Sequence, residues 1–334
     1  DFSTTLMTII PKTKTARRWE DLRPIECDTW PVRVLSKMLA EKLNGLLPHL
    51  SEHQYGFVNG RSSMPPIHIV NTLVDREECV VFLDISAAYT SVDRERLLEI
   101  CRAIRLPKCT TNCIDALTRP RRVQLVHNGR VSRRHAVAER GLRQGNAASP
   151  AIFNIYMSVA LHRIKKVLGD DIELWAFADD IAVWVSDPSQ LAHIIATIQD
   201  ILRQFDLYLN MSKCKLIGVE EEIPEEFHSW IVPHYKYLGI NIPINRTWSC
   251  KRTLSAATKT ANVLRARRIP VHIAAQVFNT YIWSKFVYQG AVYPISERTL
   301  KQVDDIVRSI LGIQTARRCM RRRRCTGRKI TGMS

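Results

Sequence analysis

The sequence predicts an α+β fold in which helices cover one face of a mainly antiparallel sheet and leave the other face free to hold a substrate. Three observations carry this expectation. Residues 80–83 are a wholly apolar run that ends on Asp84, the pattern of a buried strand. Apolar stretches on both sides of Asp179-Asp180, across residues 174–185, read as a hairpin. Helix-period segments separate these units, so from residue 79 the order is strand, helix, strands, helix, strands, helix, strand. No internal repeat is visible.

Taken in order, residues 7–11 are an apolar strand that leads into a basic loop with Lys12, Lys14, Arg17 and Arg18. Pro31 suits a first helical position. Val34, Leu35, Met38, Leu39, Leu43 and Leu46 then recur at three- and four-residue steps until Pro48, which predicts one amphipathic helix. Beyond Asp84, a second helix carries Leu97, Leu98, Cys101 and Ile104 as its apolar stripe. Asn128-Gly129, between residues 122–127 and 130–134, is the strongest short hairpin signal in the chain. Ser149 is expected to cap the next helix, with Pro150 in its first turn and Phe153, Tyr156, Val159 and Leu161 inward. Asp187 and Pro188 open another, with Leu191, Ile194, Ile195, Ile198 and Leu202 inward, and residues 215–219 supply a further strand. Past residue 250, Leu254, Val263, Val277, Tyr281, Leu300, Val303, Ile306 and Ile310 predict three or four helices in a separate subdomain.

With 334 residues, 46% hydrophobic and 24% charged, the chain has the composition of a folded protein with two or more packed subdomains. No apolar run reaches the roughly 18 residues that span a bilayer, so no membrane partner is expected. The chain opens on Asp1 without a leader segment and reads as an excerpt of a longer polypeptide with further domains beside it. Nine scattered cysteines point to reduced thiols in an intracellular, nuclear or cytoplasmic, setting. Cys109 and Cys113 stand four apart, but no second ligand pair follows at finger-like spacing, and they read as plain thiols. The net charge of +17 suits a partner with a phosphate backbone. Residues 317–329 hold eight of the cations and no acid; taking eight from +17 leaves +9 for the rest. That tail, residues 313–334, is expected to be disordered, serving as a solvated run, an import signal or a nucleic-acid contact.

The chemistry resides in the acids. Asp84 closes a buried strand and Asp179-Asp180 form the turn of an apolar hairpin, where adjacent charges are costly unless a cation compensates them. Carboxylate oxygens suit Mg²⁺, which shares its coordination shell with substrate phosphates. Two such ions about 3.5–4 Å apart serve an in-line displacement, so phosphoryl transfer is the natural reaction class.

Phe177-Ala178-Asp179-Asp180 resembles the catalytic motif of reverse transcriptases in the form usual in non-LTR, LINE-type elements. Phe82-Leu83-Asp84-Ile85-Ser86-Ala87-Ala88-Tyr89 is similar to the family's first catalytic motif. Gly141-Leu142-Arg143-Gln144-Gly145-Asn146-Ala147-Ala148-Ser149-Pro150 resembles its G-x-P-Q-G-x-x-x-S-P motif. Leu22-Arg23-Pro24-Ile25, Gln54-Tyr55-Gly56-Phe57 and Gly60-Arg61-Ser62-Ser63 look like fingers motifs of LINE-type and group II intron enzymes. Leu209-Asn210 with Lys213 and Lys215 resembles the next palm motif, and Tyr235-Lys236-Tyr237-Leu238-Gly239 the primer grip. Three departures stand out: Arg143 in the usual Pro position, Asn146 and Ala147 in place of the commoner small pair, and Thr90 after Tyr89. They bear on template positioning and rate, and none removes a metal ligand.

The resemblance implies a right-hand polymerase: fingers over residues 1–78, a palm over 79–245 with inserted fingers elements, and a helical thumb over 246–312. It implies RNA template, DNA primer and deoxynucleoside triphosphates as partners, and two Mg²⁺ ions, with Mn²⁺ as a possible substitute. Asp84 and Asp179 would be metal ligands together with the Ile85 carbonyl, Asp180 a supporting carboxylate and Lys213 a general acid toward pyrophosphate. Tyr89, Gln144, Gly145, Arg61 and Lys12 would bind the nucleotide. Phe177, Ala178, Tyr237, Leu238 and Gly239 would lie along primer and template. The alternatives from other classes are an RNA-binding scaffold, an inactive element copy and an RNA-dependent RNA polymerase. The intact carboxylates argue against the scaffold, and the aromatic at position 89 argues for deoxynucleotides.

Overall fold

The computed structural model describes residues 4–12, 22–127, 129–244 and 250–311. In chain order these form β1 (Thr4–Pro11), β2 (Leu22–Cys27), α1 (Trp30–Asn44), α2 (Leu47–Leu50), α3 (Met64–Val74), β3 (Cys79–Asp84), α4 (Ala88–Ser91), α5 (Arg94–Ala103) and α6 (Lys108–Thr118). There follow β4 (Arg121–His127), β5 (Arg130–Ala138), α7 (Ser149–Leu168), β6 (Ile172–Phe177), β7 (Asp180–Val185), α8 (Leu191–Arg203), β8 (Lys215–Ile217), β9 (Tyr235–Tyr237) and β10 (Ile240–Ile242). The chain divides into two compact units, residues 1–243 and 244–334. The basic segment 317–329, like Lys14, Arg17, Arg18 and Asn128, lies outside the described residues.

The first unit is organised by a four-stranded antiparallel sheet in the order β6-β7-β3-β8. Alternation sorts its two faces. Val81 and Leu83 of β3, with Ile181 and Val183 of β7, join the main core beneath α7 and α8. Phe82, on the other face, stacks against Tyr235 at 4.3 Å and lies 5.5 Å from Tyr237, so the β9–β10 hairpin rests there. α7 and α8 therefore cover one face, while the other carries α3 and the β9–β10 hairpin and presents Asp84 and Asp180 at its end, so it is not left wholly free as expected.

Over residues 151–161 α7 is buried nearly all round, because α1, α2, α5, α8 and β6 pack on it, and only its last turns expose His162, Arg163 and Lys166. Tyr156, fully buried within it, donates from Oη to the Phe205 carbonyl at 2.8 Å. Its helix begins at Ser149, and Ser149 is not the cap as expected. The N-cap is Ala148 and no side chain caps the helix; just before it, Asn146 Oδ1 accepts from the Ala148 N–H at 2.9 Å and fixes the turn that leads in.

A second sheet, ordered β2-β1-β4-β5, joins the amino-terminal hairpin to the Asn-Gly hairpin through a parallel β1–β4 pairing. The helix expected to run to Pro48 ends at Asn44, and Pro48 falls in the first turn of α2. Of its apolar stripe, Leu39 and Leu43 are buried while Val34, Leu35, Met38 and Leu46 stay exposed. The helix turns its Ser36 edge inward, where Asn146 Nδ2 donates to Ser36 Oγ at 2.6 Å, and that tilts half the stripe away from the core.

The second unit holds α9 (Lys251–Ala266), α10 (Val271–Phe278), α11 (Ser284–Gly290) and α12 (Glu297–Leu311), with a π-helical turn at Asn279–Trp283. Its own core gathers Ala257, Ala261, Leu264, Phe278, Ile282, Phe286, Val303 and Ile310. Of the apolar residues that marked these helices in the sequence, Val263, Tyr281 and Leu300 are exposed, while small Ala257 and Ala261 are buried in this unit's core.

Tyr156→Phe removes one donor and strands a buried carbonyl, which should cost about 1–3 kcal/mol in chemical denaturation. An unchanged midpoint would show that the Phe205 carbonyl finds another partner.

Candidate active site

Asp84 ends β3 and Asp180 opens β7, and the two are register partners. Directly opposed residues of an antiparallel pair project to the same side, so these carboxylates stand next to each other on the open face. Asp179 precedes them in the β6–β7 turn, where Ala178 takes a left-handed φ of 57°.

The turn is held from outside. Gln54, 1% exposed, donates from Nε2 to the Ala178 carbonyl at 3.2 Å and accepts from the Ala178 N–H at 2.7 Å through Oε1. The same Oε1 accepts from Gly56 N–H at 2.9 Å. Backbone bonds from Ala176 N to the His53 carbonyl and from Tyr55 N to the Ala176 carbonyl lay residues 53–55 along β6. Gly56 is needed for this approach, since a Cβ there would meet Ala178 N at 2.5 Å. Asn154 of α7 completes the brace, donating from Nδ2 to the Gly56 carbonyl at 2.6 Å.

Charge at this corner is expensive. Burial first, then the neighbouring Asp84, push the Asp179 carboxyl above its ordinary range, with Arg23 opposing the shift. Asp180 keeps an exposed surface, yet the protein packed around its carboxyl, followed by the charges of Asp179 and Asp84, pushes its pKa up to about 6. Lys213, expected at this site, does reach it: its Nζ lies 3.3 Å from Asp84 Oδ2. Among the described residues no three His, Cys, Asp or Glu side chains form a ready-made cage for an ion. Three carboxylates at one corner nevertheless fit a hard cation that completes its shell with water and substrate phosphate.

Beside Asp179 opens a cavity of about 470 Å³ whose walls include Arg23, Tyr89, Gln144, Gly145 and Ala178. Tyr89 stacks on the buried Phe153 at 4.8 Å and 11°, so one ring face is supported while the residue borders the cavity. Burial and Asp179 push its hydroxyl up to about 12, keeping it neutral. A family model described as reverse transcriptase (RNA-dependent DNA polymerase) matches residues 10–242. The chain belongs to this family. It is 25% identical over 328 residues to the Retrovirus-related Pol polyprotein from type-2 retrotransposable element R2DM of Drosophila melanogaster, covering 90% of this chain and 31% of that polyprotein. Identity is 22% to the polyprotein from type-1 retrotransposable element R2 of Popillia japonica, covering 94% and 47%. The chain thus spans less than half the length of these curated relatives. A telomerase from Candida tropicalis, solved in complex with the TWJ fragment of telomeric RNA, is similar at 12% identity with a TM-score of 0.54, covering 99% of this chain and 63% of that one. That likeness shows the fold, a right-hand polymerase. The non-LTR resemblance read from the motifs agrees with the retrotransposable-element relatives.

Other expected site residues of this reverse transcriptase fall in several places. Ile85 is buried beside Asp84 and bridges to Leu209, while Asn210 N donates to the Asp84 carbonyl at 2.8 Å. Leu238 and Gly239, with φ of 46° and 87°, form the tight turn of the β9–β10 hairpin. Tyr237 is buried against Phe82, and Oη donates to the Trp175 carbonyl at 3.5 Å. Phe177 precedes the turn and lies 6.2 Å from Phe57. Lys12 is exposed just past β1 and does not line the cavity. Arg61 takes a different part from the one expected: its guanidinium donates to the carbonyls of Gln54 at 2.7 Å and Pro48 at 3.2 Å, and to Ser51. It is a strut for the loop that carries Gln54, because those carbonyls converge on it and leave the cavity to Arg23. Sequence reasoning quoted Arg23 and Gln54 within motifs and gave neither a role; their position directly before Pro24 and Tyr55 was the available signal.

The raised pKa of Asp180 has a definite sign. The fold favours its protonated form, so the stability it contributes is full below the ordinary carboxylate value of 3.8 and is lost as pH rises through about 6. In EDTA, Asp180→Asn should therefore melt higher than the unaltered protein at pH 7.5, with the gain shrinking toward pH 4. A difference in Tm that stays constant over that interval would contradict the assignment.

Proposed function

We propose that this chain is the polymerase core of a retrotransposon reverse transcriptase that extends a DNA primer on an RNA template with deoxynucleoside triphosphates. The observation that carries the reading is the convergence on one cavity of Asp179, Tyr89, Gln144 and Gly145, with Asp180 next to Asp179 in the chain and paired in register with Asp84. Asp84 and Asp179, with the Ile85 carbonyl, would hold two Mg²⁺ ions, for which Mn²⁺ could substitute. When bound, such ions lower the pKa of the attacking hydroxyl and stabilise the leaving oxygen. Asp180 would support the pair from the register position beside Asp84. Lys213, already within reach of Asp84, would give a proton to departing pyrophosphate, and Arg23 would meet the phosphates.

The division proposed is fingers at 1–78, palm at 79–245 with β4 and β5 as inserted fingers elements, and thumb at 246–312. The β9–β10 hairpin on Phe82 would support the primer end. Further domains of a longer polypeptide and an intracellular, nuclear or cytoplasmic, setting belong to the same reading; the seven described cysteines are all free thiols.

Primer extension on a homopolymer RNA template with Mg²⁺ and deoxynucleotides tests the core claim. Asp179→Asn should abolish synthesis and leave RNA binding within a few-fold, because the template is held by other groups. Substantial residual synthesis would remove Asp179 from the site.

Tyr89→Val should admit ribonucleotides, since the ring at the cavity wall would exclude a 2′-hydroxyl by bulk and not by a lost hydrogen bond. It should also cost at least the about 0.5–1.5 kcal/mol of the ring pair with Phe153. Measuring the ratio of deoxynucleotide to ribonucleotide incorporation together with Tm separates the two effects. A folded, active variant with an unchanged ratio would refute the gate.

A further inference from the structure

Arg143 and Asn146, on either side of Gln144 and Gly145, bind the same carboxylate. Arg143 Nη1 donates to Asp28 Oδ1, and Asn146 Nδ2 donates to Asp28 Oδ2 at 2.7 Å. Both members of the ion pair are buried, with 7% and 2% of their side chains exposed. The remaining arms reach outward: Arg143 Nε to the Leu117 carbonyl and Nη1 to Thr5 Oγ1, each at 3.1 Å, and Asn146 to Ser36 and Ala148. β1, the end of β2, α1 and α6 thus all meet at one loop.

Between the two anchors lie Gln144 and Gly145, the pair that borders the cavity. The Gln144 carbonyl accepts from Glu26 N–H at 2.7 Å. Gly145 has φ 104°, and a Cβ there would stand 2.8 Å from the Glu26 carbonyl, so the backbone is pressed onto the end of β2. A proline at position 143 would restrict this loop through its own ring. Arginine has no such restriction. A buried ion pair also adds little stability over well-packed apolar residues; what it supplies is a defined geometry.

We propose that Asp28, Arg143 and Asn146 form one positioning unit, a buried side-chain lock that sets the Gln144 and Gly145 backbone at the nucleotide cavity. This rests on the polymerase reading for its effect on catalysis, but the lock itself can be examined without it.

Amide hydrogen exchange of the full chain tests the lock. In Asp28→Asn and in Asn146→Ala, exchange over residues 142–148 should rise by about ten-fold or more while β3 and β7 stay protected, as expected of a local opening. Arg143→Lys, which keeps a charge for Asp28, should lose less of the protection than Arg143→Met. Unchanged protection in the loop, or a uniform loss across the unit, would overturn the proposal. Steady-state extension supplies the second readout. Arg143→Met and Asn146→Ala should each raise KM for the incoming deoxynucleotide by about ten-fold with kcat within a few-fold. Because both act through one carboxylate, the double variant should be little worse than either alone. Additive effects, or an unchanged KM in active variants, would refute the shared role. Absence of synthesis by the unaltered protein would sink the polymerase reading and leave exchange to decide on the lock.

Discussion

Three carboxylates have to be kept at one corner although Asp84 makes both Asp179 and Asp180 harder to ionise. Asp84 and Asp180 are fixed as neighbours by strand register, and Asp179 by the turn that joins β6 to β7. Repulsion alone would open that turn. The Gln54 amide bonds both polar groups of Ala178, and Asn154 and Arg61 hold the segment that brings Gln54 there. Much of what surrounds the palm sheet is therefore support for a local concentration of charge.

The two faces of the sheet divide the labour. Beneath, Val81, Leu83, Ile181 and Val183 bury against α7 and α8, a continuous core that resists displacement. Above, Phe82 takes the stacked Tyr235 two residues before Asp84, which ties the β9–β10 hairpin to the strand that bears the carboxylate. Position of the hairpin and position of Asp84 are set by the same short strand. The second sheet contributes in another way, through the end of β2, where Glu26 and Asp28 receive the loop that walls the cavity.

Much of this was legible in the sequence, and what was not has a physical cause. β3, the β6–β7 hairpin and the Asn-Gly hairpin follow from period and turn chemistry, which act over a few residues. Gln54 and Ala178 are 124 residues apart, Asn146 and Ser36 110, and Arg143 and Thr5 138; no local pattern encodes such pairs. For that reason Arg61 looked like a nucleotide ligand, and Arg143 like a departure with no partner. The stripe of α1 failed differently. Its periodicity was correct, but a buried hydrogen bond to Ser36 chose which edge faces inward, and a polar contact cannot be seen in an apolar count.

The parallel pairing of β1 with β4 places Thr4 to Thr8 beside residues 122–126. On a ribosome that delivers about 5–20 residues per second, the β1–β2 hairpin emerges seconds before its partner exists. Until then one edge of β1 has no neighbour, and such edges recruit other strands. β3 also appears before β4, but its partners β7 and β8 follow β5 in the chain. The sheet that walls the cavity therefore has all its strands in hand before the sheet that bears the carboxylates, and β3 waits alone in the meantime.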